Sequence, residues 1–313
     1  MEHVVLHKLV LIIILGIVCQ WFAWRFKFPS IALFAVVGLA IGPIFQFVDP
    51  SQDFGVLVEA IIKLALAIIL FEGGLNLKFH ELTHTGKAVK HLILLGLPLS
   101  WFFGFLVCYW VANLSITLSL LLSSILVVTG PTVILPLIRQ TKLKTRTSSL
   151  LKWEGIINDP IGILLAVLVF QFVVASDFIA LDKSTILYLL GSIASSILIG
   201  FGGGHFLKFV FEKGHVPEFL KLPMVLATVL SLYALSNIFQ EEIGLLTVTV
   251  MGITMGNIGM LIIYELRKFK ENITAILVPV VFIILTADLN LKDLMGLNWR
   301  VCLFLFCFLF LVR

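Results

Sequence analysis

Lys152-Trp153-Glu154-Gly155-Ile156-Ile157-Asn158-Asp159-Pro160 opens a run that stays apolar to residue 175. A helix needs ~20 mostly apolar residues to cross ~30 Å of hydrocarbon, and this run is long enough. The composition around it points the same way. Of 313 residues, 60% are hydrophobic and 13% charged, and the mean hydropathy is +1.13. Soluble domains are usually about 45–50% apolar and ~25% charged. A water-soluble fold, a disordered chain, a coiled coil and a disulfide scaffold are excluded. The chain reads as an all-α polytopic membrane protein.

Further runs of this kind lie near 8–24, 29–48, 56–75, 91–111, 116–138, 185–207, 222–238, 243–263 and 272–289. With 153–175 as the sixth and a last run from Trp299 onward, they make about eleven spans. The first lacks a basic start and a small-residue cleavage site, so it reads as a retained span. Cys19, Cys108, Cys302 and Cys307 all fall in apolar runs and read as small hydrophobes.

Loop charge tests the count. Loops after odd-numbered spans, together with Lys152 at the same face, hold 17 basic residues, among them Lys78, Lys87, Arg139, Lys144 and Arg267. The opposite side has only Lys8, Lys183, Lys292 and Arg300, beside Asp49, Asp53, Asp177, Asp182, Glu241 and Glu242. The positive-inside rule puts the N-terminus outside and residue 313 at the cytoplasmic face. The net charge of +4 is therefore loop bias. No Lys/Arg run is long enough for nucleic acid, and the expected surroundings are the lipid bilayer.

Two segments recur at an offset of 214. Gly38-Leu39-Ala40-Ile41-Gly42 matches Gly252-Ile253-Thr254-Met255-Gly256, and Leu75-Asn76-Leu77-Lys78 matches Leu289-Asn290-Leu291-Lys292. Seven crossings separate the members of each pair, so they run in opposite directions. That pattern is an inverted-topology repeat, which secondary transporters build around a midplane site. The chain reads as one transmembrane domain over 1–313. Its first repeat covers about 8–175, a linker helix about 185–207, and a partial second repeat about 222–313.

Ionisable groups inside spans are functional candidates by default. Asp159 lies seven residues past Lys152, roughly 10 Å into the membrane. Glu154 and Asn158 share a helix face, with Asp159 about 100° from Asn158. Pro160 has no N–H for the carbonyl of Ile156, which leaves that oxygen to water, a side chain or a cation. The bland reading is a carboxylate locked in an interhelical pair beside a proline kink. Two acids and an amide within six residues favour an ion site. In span 5, Thr129-Gly130-Pro131-Thr132, followed by Pro136, breaks the helix near mid-membrane, where exposed backbone must line protein or a cavity.

Other polar groups carry weaker signals. Glu59 and Lys63 neutralise each other at i, i+4. Glu72 snorkels or lines a funnel at the cytoplasmic end of span 3, and Asn237, Thr247, Thr254 and Asn257 read as interhelical hydrogen-bonders. His80-Glu81-Leu82-Thr83-His84 fits the H-E-x-x-H zinc motif. It sits in the polar loop 76–90 with no distant third ligand, so it reads as a solvated loop and no zinc site is expected.

Phe71-Glu72-Gly73-Gly74-Leu75, Thr129-Gly130-Pro131-Thr132-Val133 and Glu154 with Asn158-Asp159-Pro160 together resemble the monovalent cation/proton antiporter superfamily. The similarity is greatest to the NhaP-type sodium/proton exchangers of bacteria. It implies a transporter rather than an enzyme, located in the bacterial inner membrane, with no cofactor and with a dimerisation scaffold that makes a homodimer. Asp159 would bind Na⁺ or K⁺ in competition with H⁺. Glu154, Asn158 and Thr129 would complete or hold the site, supported by Gly130, Pro131, Thr132 and Pro160. An Asn-Asp pair is similar to the branch that moves no net charge. Gly155 stands where relatives often carry a hydroxyl, and Gly130 where some carry an acid, so coordination would lean on backbone and water. A cation channel without proton coupling is the alternative, and a zinc metalloprotease using His80, Glu81 and His84 the remotest. The repeat offset maps residue 313 onto residue 99, so counterparts of spans 5 and 6 would fall beyond the chain. The resemblance puts a core arginine, partner to Glu154, there as well. The 313 residues are expected to be a C-terminally truncated antiporter, inactive or unstable alone.

Overall fold

Every one of the eleven apolar runs is helical over most of its described part. The computed structural model describes residues 2–127, 138, 143–174, 183–240, 242–259, 263–290 and 299–312. The helices are α1 (Glu2–Phe26), α2 (Ser30–Leu39, continued by a π turn Ala40–Ile44), the short α3 (Pro50–Phe54) and α4 (Leu57–Leu75). After them come α5 (Leu82–His91), a π turn (Leu92–Gly96), α6 (Leu97–Trp110), α7 (Ile116–Leu126) and α8 (Thr145–Val174). The rest are α9 (Lys183–Glu212), α10 (Glu218–Phe239), α11 (Ile243–Asn257), α12 (Ile263–Ala287) and α13 (Trp299–Cys307) with a closing π turn, Phe308–Val312. Among the described residues, Val5–Phe26, Gly86–Trp110, Gly191–Glu212 and Glu218–Phe239 are long and apolar enough to cross a membrane.

Three boundaries differ from expectation. Most of the loop 76–90 is helical, with a 3₁₀ turn at Phe79–Glu81 running into α5. Its polar composition marks a wet face, but Val89 is 5% exposed and packs inward. One buried face is enough to hold an amphipathic helix. Helix α11 stops at Asn257 rather than near 263, where Gly259 takes φ +71°. A left-handed glycine just past the last turn is a common helix stop. Helix α12 begins at Ile263 rather than near 272, because hydropathy marks lipid depth and not where the backbone begins to coil.

The chain divides into two compact units. The first comprises Met1–Ile69, Arg139–Thr141 and Leu261–Leu297. Its core gathers Ile12, Phe34, Ile283 and Ile284, each 1% exposed or less. Helices α2 and α12 meet backbone to backbone: a Cβ on Gly38 would lie 2.7 Å from the Ile283 carbonyl oxygen, and one on Gly42 2.3 Å from that of Ala287. At one end, Lys8 Nζ donates to Asp53 at 2.6 Å and Ser51 Oγ to Asp288 Oδ1 at 2.6 Å. Asp49 caps α3 through Gln52 N–H at 3.1 Å. Lys8, Asp49 and Asp53, which the span count puts at one membrane face, meet here around an open polar cavity of about 820 Å³. Within α4, Lys63 pairs with Glu59 at 2.6 Å, as the i, i+4 spacing predicts.

The second unit comprises Leu70–Ile138, Lys142–Met260 and Asn298–Arg313. Helix α11 is its axis, and 11 of the 15 residues from Ile243 to Asn257 are buried. Apolarity on every side is what lets a helix be enclosed in this way. Three partners reach α11 through glycines. Gly200, Gly203 and Gly204 admit it to α9, Gly244 to α10, and Gly74, Gly252 and Gly256 to the end of α4. Side chains also meet α11, apolar in Ile193 against Ile243 and Leu246, and polar in Thr247 Oγ1 to Ser236 Oγ at 2.8 Å. Cys19 and Cys108 are buried and unbridged, and Cys307 is half-buried and unbridged.

Candidate ion site on helix α8

Helix α8 runs unbroken from Thr145 to Val174 and carries Glu154, Asn158 and Asp159. What orients it is the apolar face that begins at Trp153. Trp153 is 2% exposed and Ile156 fully buried, and they pack with Leu77 and Val89 and against Leu150, Ile157 and Ile253. Leu150, Trp153 and Ile157 follow helical spacing, so this stripe turns Glu154 and Asn158 onto the neighbouring flank, roughly 100–140° round from Trp153.

On that flank Asn158 is only 5% exposed, and its Oδ1 accepts no hydrogen bond among the described residues. A buried amide oxygen left without a donor costs ~1–3 kcal/mol. Such groups mark places where a ligand, ion or water belongs. Glu154 is half-buried and is engaged by a neighbour. Of Asp159 and Pro160 only the helical backbone is described; their side chains, and Thr129, Gly130, Pro131, Thr132 and Pro136 entirely, lie outside the described residues. The structure thus brings Glu154 and Asn158 together one turn apart on α8.

Two further residues emerge. Glu72 is 6% exposed and so does not snorkel, as sequence position suggested; its backbone carbonyl accepts Asn76 Nδ2 at 3.1 Å. Asn257 closes the end of α11 against the turn that follows α4. Its one sequence signal is its position directly after the Gly252–Gly256 pair. His80 is exposed, the side chains of Glu81 and His84 lie outside the described residues, and no group of three His, Cys, Asp or Glu side chains among the described residues is placed for a metal.

Comparison with known proteins fits this arrangement. The family described as "Sodium/hydrogen exchanger, transmembrane" matches residues 9–313. The K⁺/H⁺ antiporter NhaP of Alkalimonas amylolytica is 27% identical over 251 residues, 78% of this chain and 42% of that protein. The Na⁺/H⁺ antiporter NhaH of Halobacillus aidingensis is 22% identical over 314 residues, 95% of this chain and 76% of that protein. The sodium proton antiporter MjNhaP1 of Methanocaldococcus jannaschii superposes with a TM-score of 0.83 at 20% identity, covering 99% of this chain and 76% of that one. The chain spans about half the length of some curated relatives it matches, 42% and 51% for two of them. With the antiporter fold and a matched segment running from residue 9 to residue 313, the chain belongs to the sodium/hydrogen exchanger family of membrane transporters.

Proposed function

We propose that this protein exchanges Na⁺ or K⁺ for H⁺ across the bacterial inner membrane, and that Asp159 is the group for which cation and proton compete. The observation that carries the proposal is the buried Oδ1 of Asn158, which accepts no hydrogen bond among the described residues and belongs to the residue preceding Asp159 in an apolar helix. A carboxylate taken out of water favours its protonated form, and a bound cation restores the charged one. Either ligand therefore expels the other, and alternating access turns that competition into coupled exchange. Glu154 and Thr129 complete or hold the site, Gly130, Pro131 and Thr132 support it, and the Ile156 carbonyl, to which Pro160 offers no N–H, adds an acceptor.

One proton replaces one cation in this scheme, so no net charge moves. The inverted repeat is part of the same reading. Phe71 and Leu75, which touch Gly252 and Gly256, shift by the offset to 285 and 289. Those positions fall within two residues of the 283–287 stretch that touches Gly38 and Gly42, so the matched glycine pairs also have matched partners. A homodimer with the N-terminus outside completes the proposal. In everted vesicles, Asp159→Asn abolishes cation-dependent proton movement reported by a pH-sensitive dye. Unchanged exchange in that variant at normal expression sinks the assignment, and cation flux without a dye response makes the protein a channel.

A further inference from the structure

We infer that Asn257 is a positioning residue for exchange: it fixes the turn Leu77–Phe79 as the stop against which the Trp153 end of the site helix rests. The inference builds on Asp159 being the exchange site, as proposed above.

Asn257 uses both ends of its amide. Nδ2 donates to Leu77 O at 2.8 Å and to Ile253 O of its own helix at 2.7 Å, and Oδ1 accepts Phe79 N–H at 2.7 Å. Flipping the amide would set oxygen against two carbonyls and NH₂ against an N–H, so only one orientation satisfies all three partners. Beneath it, α11 and α4 have no side chain between them. A Cβ on Gly252 would stand 2.2 Å from Phe71 O, one on Gly256 2.8 Å from Leu75 O, and one on Gly74 2.5 Å from Thr249 O. From α9, Lys208 Nζ reaches the last carbonyl of the helix end, Ile258 O, at 3.3 Å. The α11 terminus is therefore anchored, and Asn257 extends that anchor to the turn.

What the turn touches is α8. Leu77 is fully buried and packs with Trp153 and Ile156, while the Phe79 ring stacks on Trp153 at 6.2 Å between centroids. The two sides of the turn differ in kind. Directional amide bonds hold it to α11, and among the described residues the contacts that join it to α8 are apolar. Apolar faces slide with little directional penalty, whereas the three bonds of Asn257 have no second register. When α8 moves between access states, the Trp153 contact is the one that yields. Asn257 defines where the helix comes to rest.

The test compares Asn257→Ala, Phe79→Ala and the double variant in everted vesicles, with rates normalised to folded transporter by size-exclusion chromatography. Phe79 is 54% exposed, so truncating it opens no core cavity. Asn257→Ala is expected to lower the maximal exchange rate about tenfold, the weight of two hydrogen bonds between segments. The half-saturating cation concentration stays within about twofold, since no ion-binding group is removed. Adding Phe79→Ala to Asn257→Ala lowers the rate by less than about twofold more, because both act through one contact. Hydrogen exchange of residues 77–81 speeds up in Asn257→Ala. A rate per folded molecule equal to wild type, a changed half-saturation with unchanged rate, or full additivity overturns the inference. Asp159→Asn run alongside separates the two readings. If it still exchanges, the site assignment fails, while the effect of Asn257 on rate and hydrogen exchange is read independently.

Discussion

Gly252→Ala and Gly202→Ala are chemically identical substitutions at mid-helix positions, and the structure predicts opposite outcomes. Alanine gains ~0.8–1.0 kcal/mol over glycine in a helix interior, so propensity favours both. At Gly202 of α9 a new Cβ meets nothing within 4 Å, and that gain stands alone. At Gly252 it would lie 2.2 Å from Phe71 O and 3.1 Å from Leu75 N, both backbone atoms.

Carbon–oxygen contacts settle near ~3.3 Å, so α11 and α4 must separate by roughly 1 Å. No rotamer change can absorb this, because the obstacle is backbone. Overpacking of this sort costs typically ~1–3 kcal/mol. Moving the helices apart also stretches the Asn257 bonds at 2.7 and 2.8 Å, each worth ~1 kcal/mol net. The sum leaves Gly252→Ala about 1–4 kcal/mol less stable than wild type after the propensity gain is subtracted. Thermal melting of detergent-solubilised protein, followed by loss of the monodisperse chromatographic peak, ranks the two variants. If Gly252→Ala melts at or above Gly202→Ala, α11 and α4 are not in backbone contact and the argument from the glycines fails.

The remaining predictions use the same assay. Asn237→Ala removes the oxygen that accepts Gly244 N–H at 2.8 Å in the first turn of α11. Because the Glu242 side chain at the N-cap makes no capping hydrogen bond, the variant should lose ~1–2 kcal/mol, and Asn237→Asp should keep most of that stability. Asp53 accepts both Lys8 Nζ and the Asp49 N–H at 2.8 Å, so Asp53→Ala should cost more than Lys8→Ala. Combining the two should cost no more than Asp53→Ala alone, since Lys8 has then already lost its partner.

Much of the fold was legible because lipid imposes a length rule and a charge rule at once. Apolar runs located the helices, and the Lys/Arg bias put Lys8, Asp49 and Asp53 at one face, where they meet. The Gly38–Gly42 and Gly252–Gly256 pairs were legible as a repeat, and the structure places close backbone seams at both. Helix α5 was not legible, since hydropathy measures lipid exposure and Leu82–His91 carries too many polar residues to register. On the site, Asn158 was picked out by its neighbours, but its burial was not. Asn257 reads as an interhelical hydrogen-bonder and makes such bonds, but its partners were not legible. A single asparagine at the end of a span is indistinguishable in sequence from an ordinary interhelical hydrogen-bonder. Its role depends on Leu77 O and Phe79 N–H, backbone groups 180 and 178 residues away that no side-chain pattern encodes.

The offset that pairs the two glycine motifs also exposes where they differ. Asn257 shifts back by 214 to Pro43, a residue with neither a donor nor an acceptor in its side chain. In the second unit the seam beyond the glycines is tied down by an amide with three bonds. In the first unit, Pro43 instead lies in a π turn and lines the open cavity together with Gln46, Asp288 and Asn290. A proline at that position cannot make the amide's bonds in any state, so the difference is written in the sequence and does not depend on conformation. The end of the first seam is tied instead by Ser51, whose N–H and Oγ both donate to Asp288 Oδ1 at 3.1 and 2.6 Å, so unlike groups hold the two seams.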